Sequence, residues 1–321
     1  MEATLLHLLY FAFINAAIVL IGYPIVKQKG VLLSWLIMIV SILVVHLIFL
    51  NDGSIIRMLA IIATTFTAMK IIAVTEGYKG KIFTLTFKRW FTFATGWAGM
   101  RAEPFETLGG PTLPNAWSLI RFGISRVVVG TLLITLGHVI VSLHLNWALT
   151  YISVSGILLV GFSLILHFGL LSISAGMWRL SGANTYLLFR QPAKATSLTE
   201  LWSKRWNIAF SEMTAIAIFR PLKSRVGSAV ALMASFVFSG LLHELALSVP
   251  VNSGYGLPTL YFFIQGLMVL TEKLLASRGL TFLQHKVISR IWVYFWLVAP
   301  MPLLFHEQFI KQIVWPLAGL K

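Results

Sequence analysis

Long apolar stretches recur along this chain, separated by short polar segments. Leu5–Val26 is the first, then Val31–Leu50 and Ile55–Val74. Ile124–Leu143, Tyr151–Gly176, Ser228–Val249 and Leu257–Leu275 follow, and a shorter run, Ile291–Phe305, closes the series. A helix of about 20 residues crosses the ~30 Å hydrocarbon core, so the pattern predicts about eight spans. Met1-Glu2 lacks the basic start of a signal peptide, and the first run is read as an uncleaved span. Residues 91–100 and Phe309–Leu320 are expected as short interfacial or re-entrant pieces. No internal repeat or linker interrupts the series, so residues 1–321 are expected to form one domain.

Composition agrees with this pattern. Of 321 residues, 58% are hydrophobic and only 11% charged, against about 25% charged in a soluble domain. So few charges cannot cover a soluble surface, and so apolar a chain is not disordered. The expected fold is an all-α, polytopic integral membrane bundle with amphipathic helices on one side. The charge is lopsided: 25 Lys and Arg against 10 Asp and Glu, net +15. Basicity of that size also occurs in nucleic-acid binders, and position along the chain decides. Basic residues fill alternate connections, 27–29, 79–126, 179–225 and 273–290, whereas 51–54, 144–150 and 250–256 hold no Lys or Arg. The positive-inside rule then places the basic loops in the cytoplasm and both termini outside, with no role for nucleic acid. The membrane is expected to be a bacterial inner membrane or the endoplasmic reticulum. The absence of cysteine excludes disulfides, thiolate metal sites and a Cys nucleophile.

Inside the sixth span lies His243-Glu244. Ionisable groups within hydrocarbon are costly unless they face a polar cavity. Ser235, Ser239 and His243 are spaced by four and share one helix face, about 22 Å along from Ser228 for His243. A neutral imidazole there can take a hydroxyl proton, or can be bound between packed helices. Glu244 lies about 100° round, able to orient a neighbour or contact a ligand. No metal is expected: a zinc-protease helix needs His-Glu-x-x-His, and position 247 is Leu. His46, His138, His144 and His167 show no ligand spacing.

Between the fifth and sixth spans runs SLTELWSKRWNIAFSEMTAIAIFRPL, residues 197–222. Ser197 is the expected N-cap, with Glu200 three residues on. Trp202, Trp206 and Phe210 repeat every four residues, which predicts an aromatic stripe on one continuous amphipathic helix, with Asn207 beside it. Such a stripe fits an interfacial anchor. It fits equally a lip that presents Asn207 to a reacting centre. Lys204, Arg205, Arg220, Lys223 and Arg225 are candidate contacts for an anionic cofactor's phosphates.

The series SLTELWSKRWNIAF, FRPL and FSGLLHEL resembles the wax-synthase-like branch of the membrane-bound O-acyltransferase superfamily. In that branch a Trp-Ser/Gly-x-Arg-Trp-Asn/His motif precedes a Ser-Gly-x-x-His-Glu motif within a span. The earlier GWAGMRAEPF is similar to the branch's GWPGM-x-x-x-PF segment, with Ala98 in place of Pro. The motifs cover about residues 93–245. The resemblance implies a ring of tilted helices around a tunnel and transfer of an acyl group from acyl-CoA to a lipophilic alcohol. It implies His243 and Asn207 as catalytic residues, and Glu244, Trp206, Trp202 and Ser239 near substrate. Acyl-CoA would be a donor substrate, with no tightly bound cofactor. The competing class is a non-enzymatic transporter with a buried His-Glu gate, but no repeated halves support it.

Overall fold

The structure, a computed structural model, describes residues 2–279 and 285–320, and among them every regular element is helical. Eight helices are long and apolar enough to cross a membrane: α1 (Ala3–Gln28), α2 (Val31–Ile48), α3 (Ser54–Gly77), α4 (Ala116–Ser142), α5 (Trp147–Leu180), α6 (Ser228–Val251), α7 (Leu257–Ser277) and α8 (Lys286–Leu304). Each expected span is present, but several helices run past the apolar stretch. Arg121 and Arg126, expected ahead of the fourth span, lie within α4. Arg179, Lys273 and Arg290 likewise fall inside α5, α7 and α8. Hydropathy marks only the part needing hydrocarbon, while long cationic side chains let the hydrogen-bonded helix continue into the interface.

Contacts gather the chain into two compact units, Met1–Ala102 with Arg190–His306, and Glu103–Phe189 with Glu307–Lys321. In the first, α3 is the interior helix, with 72% of its apolar window buried. Its two buried cations each find hydrogen-bond partners, although Arg57 Nε has none among the described residues. Arg57 donates to Asn252 Oδ1 at 3.1 Å and to His46 Nδ1 at 3.3 Å. Lys70 Nζ donates to the carbonyls of Phe93 (3.0 Å), Ala94 (2.7 Å) and Trp97. Those carbonyls end the helix Phe87–Gly96, so the ammonium caps its negative terminus. This helix absorbs most of residues 91–100. Trp90 and Phe93 are buried, and the Trp90 indole donates to Val19 O at 2.8 Å. In the following GWAGM turn the Trp97 ring covers Gly99, where any Cβ would collide with it.

The second unit is organised by a glycine seam between α4 and α5. Gly123, Gly130 and Gly137 recur every seven residues on α4 and let the two backbones approach closely. A Cβ at Gly130 would stand 2.6 Å from Gly161 O, and one at Gly123 would stand 2.7 Å from Gly169 O. Residues 307–317 form short helical turns against α5, where Trp315 donates to Ser155 Oγ at 2.9 Å and stacks on Tyr151. Gly130→Ala should therefore destabilise the protein by about 1–3 kcal/mol through overpacking. Gly156, also on α5 but facing open space, should accept Ala without loss. Thermal denaturation of the two purified variants in one detergent checks this contrast.

Candidate functional site

α6 is a regular helix from Ser228 to His243 and continues as a π-turn, Glu244–Ser248. Its expected polar face forms as a series of bonds to carbonyls one turn earlier. Ser235 Oγ donates to Ala231 O at 2.9 Å, and Ser239 Oγ donates to Ser235 O at 3.0 Å. His243 Nδ1 lies 2.7 Å from Ser239 O. A carbonyl only accepts, so Nδ1 carries hydrogen and the neutral ring keeps its lone pair on Nε2. The ring packs against Phe262 at 4.3 Å between centroids and meets Phe210 edge-on at 5.9 Å.

The motif segment begins as expected: Ser197 Oγ accepts from Glu200 N at 2.9 Å. Glu200 reaches back one residue further, to Thr196 N and Oγ1. Burial raises the Glu200 carboxyl, but the bonds from Thr196 and Arg205 outweigh it and hold it below the usual range. Arg205 pairs with Glu200 at 2.6 Å and donates to the carbonyls of Arg190 and Gln191. That guanidinium is committed to holding the segment.

The continuous helix expected over this segment does not form. A π-turn, Leu201–Arg205, gives way to an extended Trp206 and a left-handed Asn207 (φ 42°, ψ 65°), after which the helix Ile208–Thr214 starts. Asn tolerates this conformation better than most residues because its short side chain bonds locally. Here Asn207 Oδ1 accepts from Phe210 N at 3.3 Å. The carbonyl end of the amide is thus used as a cap, and its NH₂ end has no hydrogen-bond partner among the described residues. The break also turns the aromatic stripe. Trp202, Trp206 and Phe210 no longer share a straight helix face, yet all three line one cavity.

That cavity, about 250 Å³, brings together Asn207 and His243 with Ser235, Ser239 and Phe262. Glu244 is not among the lining residues. Its Oε1 accepts from Thr259 N (3.0 Å) and Thr259 Oγ1 (2.9 Å), capping the start of α7. Lys204, Arg220, Lys223 and Arg225 are exposed and, with Arg205, stand outside the lining; the cation that lines the cavity is Lys273.

Three residues of α7 were missed from sequence. Besides Lys273, Glu272 accepts from Leu198 N (2.7 Å), Thr199 N (3.0 Å), Thr199 Oγ1 (3.2 Å) and Trp292 Nε1 (3.1 Å). Gln265 accepts from Trp202 Nε1 at 3.2 Å and donates to Trp296 O at 2.6 Å. Glu272 and Gln265 together fasten the motif segment to α7. The available signal was the presence of polar residues in an otherwise apolar span, which is costly without partners. Glu272→Ala strands several buried donors at about 1–3 kcal/mol each. It should lower thermal stability and expose residues 190–207 to limited proteolysis, with Glu272→Gln intermediate.

Comparison with known sequences places this arrangement. Residues 186–265 match the membrane bound O-acyl transferase family. The matched segment contains the whole Ser197–Asn207 motif, α6 and Gln265, and it bears out the resemblance to the wax-synthase-like branch. A probable long-chain-alcohol O-fatty-acyltransferase 9 of Arabidopsis thaliana is 29% identical over 137 residues, 38% of this chain and 40% of the relative. Probable long-chain-alcohol O-fatty-acyltransferase 2 of the same plant is 26% identical over 156 residues, 45% of each chain. A long-chain-alcohol O-fatty-acyltransferase of Simmondsia chinensis is 32% identical over 72 residues, 20% of each. These alignments span less than half the length of the relatives.

Proposed function

We propose that this chain is a membrane enzyme that transfers an acyl group from acyl-CoA to the hydroxyl of a lipophilic alcohol. The observation that carries the reading is one cavity lined by two complementary groups with no partner among the described residues, the His243 Nε2 lone pair and the Asn207 NH₂. Ester formation needs a base for the alcohol and a donor for the tetrahedral oxyanion. His243 Nε2 takes the hydroxyl proton as the alcohol oxygen attacks the thioester carbon, while Nδ1–H stays on Ser239 O. Asn207 donates to the oxyanion. Collapse breaks the C–S bond, and the leaving thiolate takes the proton back from the imidazolium. The products are an ester and free CoA, with no bound cofactor in the cycle. The family match and the relatives' names support the reaction class.

Donor and acceptor are soluble and lipid-borne respectively, which suits a cavity built among membrane helices. We place the basic connections in the cytoplasm, where acyl-CoA is available. A reporter fused after Leu143 should behave as external, and cytoplasmic behaviour would overturn that topology. To test the reaction, purified protein is offered labelled acyl-CoAs of several lengths with a panel of lipid alcohols, and extracts are read by mass spectrometry. Labelled esters with equimolar free thiol are expected. Absence of ester across the whole panel would refute the reading.

A further inference from the structure

Arg220, Lys223 and Arg225, which stand outside the cavity wall, share the short helix Arg220–Val226. No residue of this helix is buried. From Lys223 to Val230 every residue is exposed, Val226 at 46% and Val230 at 56%. The sequence holds no Asp or Glu between Glu212 and Glu244. Among the described residues Arg220 and Arg225 have neither a hydrogen bond nor an ion pair. Gly227, at φ 82°, ends the helix, and α6 starts at Ser228. Within a few residues the chain thus passes from uncompensated cations to exposed valines at the mouth of a span. Headgroup and hydrocarbon follow one another in the same order in a bilayer leaflet. A cluster of Lys and Arg beside a span attracts anionic lipid.

The cluster is also joined to the cavity. Residues 208–226 are helical without interruption, as Ile208–Thr214, the π-turn Ala215–Phe219 and Arg220–Val226. Asn207 caps the start of this rod, and the cations occupy its other end. Phe210, Ser211, Thr214, Ala215 and Phe219 line the cavity, so the rod is one of its walls. Lys223 Nζ lies 6.0 Å from the centre of the Phe219 ring, within reach of a cation–π contact. The last wall residue and the cationic cluster therefore meet.

We propose that the Arg220–Val226 helix is a docking site for anionic phospholipid headgroups, and that a docked headgroup holds the rod that presents Asn207. The phosphate accepts from Arg220, Lys223 and Arg225, while Val226 and Val230 meet the adjoining acyl chains. The docking needs no chemistry in the cavity. Its effect through Asn207 rests on the acyl-transfer reading.

Native mass spectrometry of the full-length protein, titrated with phosphatidylglycerol or with phosphatidylcholine of the same acyl chains, reads the docking directly. Phosphatidylglycerol should bind about fivefold more tightly or better, the scale of one cation beside an anionic surface. The triple variant Arg220→Gln/Lys223→Gln/Arg225→Gln should lose that preference. Lys79→Gln/Lys81→Gln/Lys88→Gln removes three exposed cations elsewhere and should keep it. Equal loss in both triple variants, or no preference in the wild type, would overturn the docking. The second readout is turnover in phosphatidylcholine vesicles with and without phosphatidylglycerol. Phosphatidylglycerol should raise wild-type kcat about fivefold, the low end of coupling between two sites, with KM for acyl-CoA unchanged. The cavity-remote triple variant at 220, 223 and 225 should not respond. A wild-type kcat indifferent to phosphatidylglycerol would refute the hold on Asn207. A variant that keeps the lipid preference but raises KM for acyl-CoA would assign these cations to CoA phosphates and overturn the docking. If wild-type protein forms no ester, the acyl-transfer reading fails, and the lipid titration still decides the docking by itself.

Discussion

His243→Ala is expected to remove acyl transfer, lowering kcat by about 10²–10⁴, the usual contribution of a positioned general base. KM for acyl-CoA should stay near the wild-type value. Among the described residues the ring's hydrogen bond is to its own helix, at Ser239 O, so the variant should fold and its defect should be chemical. Removing the imidazole leaves a gap bordered by Phe262 and Phe210. Added free imidazole should therefore restore part of the rate. Wild-type turnover by purified His243→Ala protein would end the assignment of His243 as base.

Asn207→Asp is the second large effect and the sharper variant at that position. Alanine would remove the cap on Phe210 N and place a Cβ residue with little tolerance at φ 42°, costing about 1 kcal/mol for each defect. Aspartate keeps an oxygen for the cap and tolerates the left-handed backbone, but it replaces the NH₂ by a negative oxygen. Loss of one oxyanion donor typically costs 10²–10³ in rate, about 2.7–4 kcal/mol, and the added charge opposes the developing oxyanion. Asn207→Asp should thus fold like wild type and lose kcat by at least that factor. Wild-type kcat in this variant, measured beside its melting temperature, would show that the amide NH₂ takes no part.

Much of the fold was legible because spans are a length-and-hydropathy property. All eight expected spans are present, though the fourth and fifth helices extend several residues beyond their apolar stretches, and His243 stood out because ionisable groups in hydrocarbon are rare. The spacing of Ser235, Ser239 and His243 gave their shared face directly. The motif segment was read less well. Period-four aromatics imply a straight helix, but the break at Trp206–Asn207 depends on a cap bond and a left-handed residue that periodicity does not register. The five cations chosen near the motif stand outside the cavity, because proximity in sequence does not determine which way a side chain faces. Glu272 and Gln265 reach the motif segment from more than sixty positions away, and Lys273 lines the same cavity. The capping of the Phe87–Gly96 helix by Lys70 is of the same long-range kind. So is the fit of Gly130 against Gly161: its seven-residue repeat is visible, but not its partner.

The central claim is that His243 and Asn207 act on one reacting carbonyl inside this cavity. A structure of the full-length protein with a hydrolysis-resistant acyl-CoA analogue, solved in lipid, tests it most directly. The analogue's carbonyl oxygen should lie within hydrogen-bond distance of Asn207 Nδ2, with His243 Nε2 facing the site of the incoming hydroxyl. An analogue bound outside the cavity, or an Asn207 amide turned away from that carbonyl, would contradict the account.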